Sequence, residues 1–126
     1  MSEKKYSFKR LIKSFGFAFA GIKEGYKAGQ NIIIMTILGV LALVLSFVFN
    51  INLEQKLVIL LLIGIILPLE LINTSIEAVV DLHDKDKKSE CGRIAKDCAA
   101  GALTIASIIA LIIGIIIFMP HIIDLF

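Results

Sequence analysis

Three carboxylates and one amide recur at offsets of 3, 7 and 11 residues: Glu70, Asn73, Glu77 and Asp81. At about 100° per residue, those offsets keep all four within a narrow arc of one helical face. The apolar run Leu57 to Leu69 leads directly into them, so the stripe begins inside a segment suited to lipid. Polar side chains there are costly. Ionised carboxylates do not hydrogen-bond one another, and three in register call for a cation, a proton or a donor-rich ligand. The plainer alternative is that the stripe joins helices or lines a wet crevice.

The elements that must position this stripe follow from composition. Of the 126 residues 58% are hydrophobic, and the mean hydropathy is +0.92. That is the profile of a membrane protein in one domain, residues 1–126. The runs Ile32 to Phe49 and Cys98 to Met119 carry no charge, and each can cross a hydrocarbon core of ~30 Å as a helix. Leu57 to Leu69 reaches spanning length only when extended through Glu77, which makes a span whose inner third is polar. The expected spans are about 31–50, 56–81 and 97–119. Ahead of them, Phe8, Leu11, Ile12, Phe15, Phe19, Ile22 and Tyr26 recur at the 3–4 spacing of one face, with Lys9, Lys13, Lys23 and Lys27 on the remainder. This predicts an amphipathic surface helix over about 6–28, serving either as an anchor or as one wall of a lipid site. Gly29, Gln30 and Asn31 then turn the chain into the first span. The fold class is therefore all-α integral membrane, a surface helix plus three transmembrane helices.

Seven Lys and Arg precede Ile32 and five lie between Asp81 and Asp97, against Lys56 alone in the first inter-span loop. By the positive-inside rule the N-terminal segment and the second loop are cytoplasmic, in a multi-pass protein of the plasma membrane. No cleavable signal peptide is visible. The net charge of +2 suits an anionic leaflet or a phosphorylated ligand rather than nucleic acid, for which no basic fold motif is present. Cys91 and Cys98 have neither zinc-type nor CxxC spacing and are expected as free thiols. Within the spans, Pro68 should bend the second just before Glu70. Ala102, Ala106, Ala110 and Gly114 form a smooth seam on the third. So small a bundle can hardly shield the stripe alone, which predicts an oligomer.

Depth assigns roles. At ~1.5 Å per residue, Glu70 lies some 10 Å beneath the cytoplasmic boundary, Glu77 reaches it and Asp81 stands among headgroups. A buried carboxyl group suits a general base. The more exposed Glu77 and Asp81 suit a hard cation such as Mg²⁺. Lys96, just before the third span, could face an anion together with that helix's N-terminal amides. Such tiers fit phosphoryl transfer from a cytosolic nucleotide to a lipid hydroxyl. No GxxxxGK[ST] or HExxH motif occurs, and Asp84-Lys85-Asp86 lacks the Gly and final Glu of a calcium loop.

The stretch Glu70-Leu-Ile-Asn73-Thr-Ser-Ile-Glu77-Ala-Val-Val-Asp81, with Ala95-Lys96-Asp97-Cys-Ala-Ala-Gly101-Ala, resembles the signature of the prokaryotic diacylglycerol kinase family. The resemblance is nearer to its Gram-positive branch of undecaprenol kinases and covers nearly the whole chain. It implies a domain-swapped homotrimer with active sites between subunits. By position it implies Glu70 as catalytic base, Glu77 as a Mg²⁺ ligand and Asn73 as a support of the site. Asp81 would be a further polar support beside the nucleotide. Lys96 and Asp97 would be nucleotide contacts, with Arg10 a phosphate contact on the surface helix. Where the family places a second metal-binding Glu, this chain has Gly29, and Glu24 stands five residues away on another face. The implied activity is transfer of the ATP γ-phosphate to a membrane lipid alcohol, undecaprenol before diacylglycerol. The contrasting possibility is a non-catalytic membrane assembly, such as a small channel or a relative that binds nucleotide without transferring phosphate.

Overall fold

The computed structural model describes residues 7–126, so the expected surface-helix start at residue 6 lies outside the described residues. Four helices follow one another: α1 (Phe8–Ala28), α2 (Gln30–Val48), α3 (Leu53–His83) and α4 (Glu90–Ile123). Each of α2, α3 and α4 is long and apolar enough to cross a membrane.

The helix ends are set by local hydrogen bonding, and for this reason α3 and α4 outrun the hydropathy-based spans at both ends while α2 stops at Val48, short of the expected 50. Ser7 caps α1, its hydroxyl accepting from the Arg10 amide at 3.1 Å. One extended residue, Gly29 (φ −144, ψ 150), separates α1 from α2. Gln30 and Asn31 are therefore the first turn of α2 rather than part of the connection. The far end of α2 closes in a Schellman motif: Asn50 takes φ 53, the Ile51 amide donates to Ser46 O and the Asn50 amide to Phe47 O. Asn52 then caps α3 by accepting from the Gln55 amide at 2.9 Å, starting that helix at Leu53 instead of 56. Ser89 accepts from the Gly92 amide at 3.0 Å and starts α4 at Glu90 instead of 97. The helix α3 continues through Pro68, and α4 through Pro120.

With 31 residues, α3 is about 46 Å long, well beyond a hydrocarbon core of ~30 Å. Glu77 and Asp81 stand in its last two turns. Packing is tightest between α3 and α4, then between α2 and α3. Ile51, Ile59 and Ile117 form a small core at the end remote from the stripe, flanked by Phe49 and Phe118. Elsewhere the long helices expose Ile, Leu, Val and Phe, as suits a lipid solvent. The seam expected on α4 is not closed within the chain: Ala110 and Gly114 line an apolar cavity of about 560 Å³ between α2, α3 and α4.

The helix α1 meets the bundle at its C-terminal end. Gly25 is its buried residue, set against Leu71 of α3 so closely that a Cβ would stand 2.2 Å from Leu71 Cδ2. Beside it the Tyr26 hydroxyl and Thr36 Oγ1 of α2 share a hydrogen bond of 2.6 Å.

Candidate active site

The four polar residues of α3 divide by environment. Glu70 is 3% exposed and Asn73 9%, while Glu77 and Asp81 are exposed. The expectation that a small bundle cannot shield the stripe therefore holds for the outer pair and fails for the inner one. Local bonds fix the inner region. The Thr74 hydroxyl donates to the Glu70 carbonyl at 3.0 Å, and Asn73 Nδ2 donates to Glu77 Oε1 at 3.2 Å. Asn73 thus turns its amide toward the carboxylate one turn above and leaves its own oxygen inward.

That inward face lacks donors. Glu70 Oε1 and Asn73 Oδ1 are both buried without a hydrogen-bond partner. Such acceptors are costly to leave unmet, and they fit a substrate hydroxyl, a proton or a hard cation. Toward Mg²⁺ the donor set is of the right chemistry, all oxygen, but small. Among the described residues no cluster of three or more His, Cys, Asp or Glu is assembled within one chain. Magnesium ions commonly keep several waters and substrate phosphates as ligands, so Glu77 with one or two neighbouring oxygens is a compatible partial shell.

Above the stripe the next helix contributes its cation. Lys96 Nζ of α4 pairs with Asp81 Oδ1 of α3 at 2.5 Å, tying the two helices across the loop. An ammonium has three N–H donors, so this bond leaves two for an anion. Asp97 turns away along its own helix, where Arg93 Nη1 donates to its Oδ2 at 2.9 Å and Arg93 Nη2 donates to Glu90. Neighbouring residues on a helix diverge by about 100°, which is why Lys96 faces α3 and Asp97 does not. Arg10 sits in the first turns of α1, about 22 Å along that helix from the Gly25 contact. The structure accordingly sets Glu70, Asn73, Glu77 and Asp81 along one face of α3 with Lys96 paired to its outer end, while Asp97 pairs with Arg93 within the chain.

Three further residues, Arg93, Gly25 and Asp84, enter this geometry. Arg93 as the partner of Asp97 was readable from its i, i+4 spacing. The close approach at Gly25 and the part played by Asp84 in the α3–α4 loop were not.

Comparison with known proteins identifies the family of this chain. The family described as prokaryotic diacylglycerol kinase matches residues 16–118. An undecaprenol kinase of Bacillus subtilis is 38% identical over 111 residues, 88% of this chain and 89% of that protein. A diacylglycerol kinase of a Synechocystis strain is 35% identical over 115 residues; the match takes in 91% of this chain but 66% of that longer relative. The diacylglycerol kinase of Escherichia coli is 26% identical over 96% of this chain and 98% of its own. The chain belongs to the prokaryotic diacylglycerol kinase family.

Proposed function

We propose, with membership of the prokaryotic diacylglycerol kinase family as the premise, that this chain is an ATP-dependent lipid kinase. It transfers the γ-phosphoryl group of ATP to the hydroxyl of a membrane lipid alcohol, undecaprenol foremost, giving undecaprenyl phosphate. The observation that carries this is the pair of orphaned, buried oxygens on Glu70 and Asn73 lying below the Asp81–Lys96 ion pair on the same face of α3.

Glu70 is the general base, within the apolar depth where a lipid hydroxyl resides. As its carboxylate takes the hydroxyl proton, the lipid oxygen forms a bond to the γ-phosphorus and ADP departs. Asn73 holds Glu77 in place through its amide and presents its oxygen to the same space. Glu77 is the residue that would hold Mg²⁺, which when bound neutralises charge on the transferring phosphate. Lys96 offers its two remaining N–H groups to the nucleotide phosphates, while Asp81 keeps the ammonium aimed at α3. Asp97 and Arg10 would reach the nucleotide only from another copy or after rearrangement.

A homotrimer supports this scheme. One chain leaves Glu77 exposed, an apolar cavity open between α2, α3 and α4, and a metal donor set incomplete. A second copy would supply what is missing. The helix α1, with Phe8, Phe15 and Phe19 exposed and lysines between them, lies on the cytoplasmic leaflet. The polar end of α3 is on that side, next to cytosolic ATP.

The test is transfer of labelled phosphate from ATP in mixed micelles containing both undecaprenol and diacylglycerol. Label in undecaprenyl phosphate is the expected result. Label chiefly in phosphatidic acid would make diacylglycerol the acceptor, as the names of the Synechocystis and Escherichia coli relatives have it. Label in neither would contradict the kinase and favour a non-catalytic assembly.

A further inference from the structure

The loop between α3 and α4 is built around one carboxylate. Asp84, the residue that ends α3, accepts from the Lys88 amide on Oδ1 at 3.1 Å and from the Ser89 amide on Oδ2 at 2.9 Å. Its own amide donates to Val80 O at 2.8 Å, and its carbonyl accepts from the Lys87 amide at 3.1 Å. Four hydrogen bonds thus converge on a single residue. They hold Lys87 at φ 57, a left-handed conformation that L residues with side chains rarely adopt. Ser89, pinned by Asp84, is also the cap of α4. The end of one helix therefore dictates where the next begins.

Gly92 completes the corner. A Cβ there would stand 2.9 Å from Val80 Cγ1 and 3.3 Å from Asp84 Oδ2, so the first turn of α4 can lie flush against the last turn of α3 only because that atom is missing. Valine is stiff about χ1 and cannot readily yield.

The spacing links this corner to the site. Asp84 follows Asp81 by three residues on α3, and Gly92 precedes Lys96 by four on α4. These are same-face neighbours one turn apart on each helix. The corner contact and the Asp81–Lys96 pair are consecutive rungs between the same two helices, and displacement at one rung passes to the next.

We infer that Asp84, with the bare Gly92, sets the height at which Lys96 stands over the acidic face of α3, and is thereby a positioning residue for nucleotide binding. This rests on the role given to Lys96 above. Asp84 touches no reacting group. Its effect reaches the nucleotide through the register of two helices, with a smaller direct Coulombic pull on the Lys96 ammonium.

The experiment uses the full chain in micelles with ATP and lipid alcohol, as wild type, Asp84→Ala, Asp84→Asn, Asp86→Ala and Lys96→Ala. Nucleotide KM, lipid KM and turnover are measured for each. Separately, spin labels on Leu82→Cys and native Cys98, in a Cys91→Ser background diluted with unlabelled chains, report the α3–α4 separation without any need for activity. Misplacement by about 1 Å can cost ~10²-fold; for Asp84→Ala the expected result is a nucleotide KM raised about tenfold, an unchanged lipid KM and a broadened label separation. Asp84→Asn should fall between, because its single amide oxygen replaces one of two acceptors. Asp86→Ala, which removes the same charge two residues along, should behave as wild type.

A wild-type nucleotide KM and separation in Asp84→Ala would overturn the inference, and so would an equal loss in Asp86→Ala. A changed separation with an unmoved nucleotide KM would overturn it as well, provided Lys96→Ala raises that KM. If Lys96→Ala leaves the nucleotide KM unchanged, the role of Lys96 itself is refuted, and the positioning role falls with it. The Val80→Ala change offers an independent check. Gly92→Ala should reproduce the Asp84→Ala defect, and adding Val80→Ala should relieve it.

Discussion

Alanine at Gly25 would measure how firmly α1 is held beside the base. A Cβ at this position would lie 2.2 Å from Leu71 Cδ2 and 3.7 Å from Leu71 Cγ, and Leu71 directly follows Glu70. Carbon atoms pack at about 3.5–4.0 Å, so the two groups must separate by about 1.5 Å. Overpacking of this kind costs about 1–3 kcal/mol, whereas the better helix propensity of alanine returns about 1 kcal/mol. In the single variant the net loss is therefore between zero and about 2 kcal/mol. The informative quantity is the coupling between Gly25→Ala and Leu71→Ala, since the second change removes the atom that clashes. That coupling should be about 1–3 kcal/mol, read as a ~5- to 150-fold factor in hydrogen exchange of the α1 amides across the four chains of the cycle. Turnover should follow the same order if α1 frames the site. A coupling under about 0.5 kcal/mol, the level at which independent sites add, would refute the close contact and the framing role together.

Other outcomes follow from the same geometry. Cysteine at Gln55 should be labelled from outside intact cells and cysteine at Lys87 should not, in a background with Cys91 and Cys98 replaced; the reverse would set the acids away from cytosolic ATP. Lys96→Ala should raise the nucleotide KM with little change in the lipid KM, as judged by steady-state kinetics. Gly29 is extended, with open space around its Cβ position, so Gly29→Glu should fold normally. It should lower the Mg²⁺ concentration needed for half-maximal turnover and tighten Mn²⁺ binding seen by paramagnetic resonance. Unchanged values would mean that another group supplies the missing charge.

Much of this protein is legible in its sequence because lipid and helix geometry both impose periods. The bare runs of α2 and α4, the 3–4 recurrence in α1 and the offsets of Glu70, Asn73, Glu77 and Asp81 are all one-dimensional signals. Helix ends were less legible. Asn52 and Ser89 cap their helices several residues before the apolar runs begin, and hydropathy is blind to a hydrogen bond between a side chain and an amide. The inner and outer halves of the stripe were also indistinguishable from spacing. What separates Glu70 from Glu77 is the packing of other helices around the first. The corner at Asp84 and Gly92 depends on a carboxylate meeting two loop amides and on an absent methyl group, neither of which leaves a pattern. Asp97 is the opposite case: a motif position next to Lys96 whose side chain pairs with Arg93 on its own helix within one chain.

The most direct measurement is turnover of Glu70→Gln, taken alongside its folding and assembly in micelles. The amide keeps the shape and hydrogen-bonding capacity of the side chain and deletes only its ability to accept a proton. General-base catalysis contributes about 10²–10⁴-fold, so turnover should fall by that factor while helical content and oligomeric state match the wild type. Undiminished turnover, or an assembly that is lost while specific activity persists, would show Glu70 to be a structural residue and contradict the account of the site.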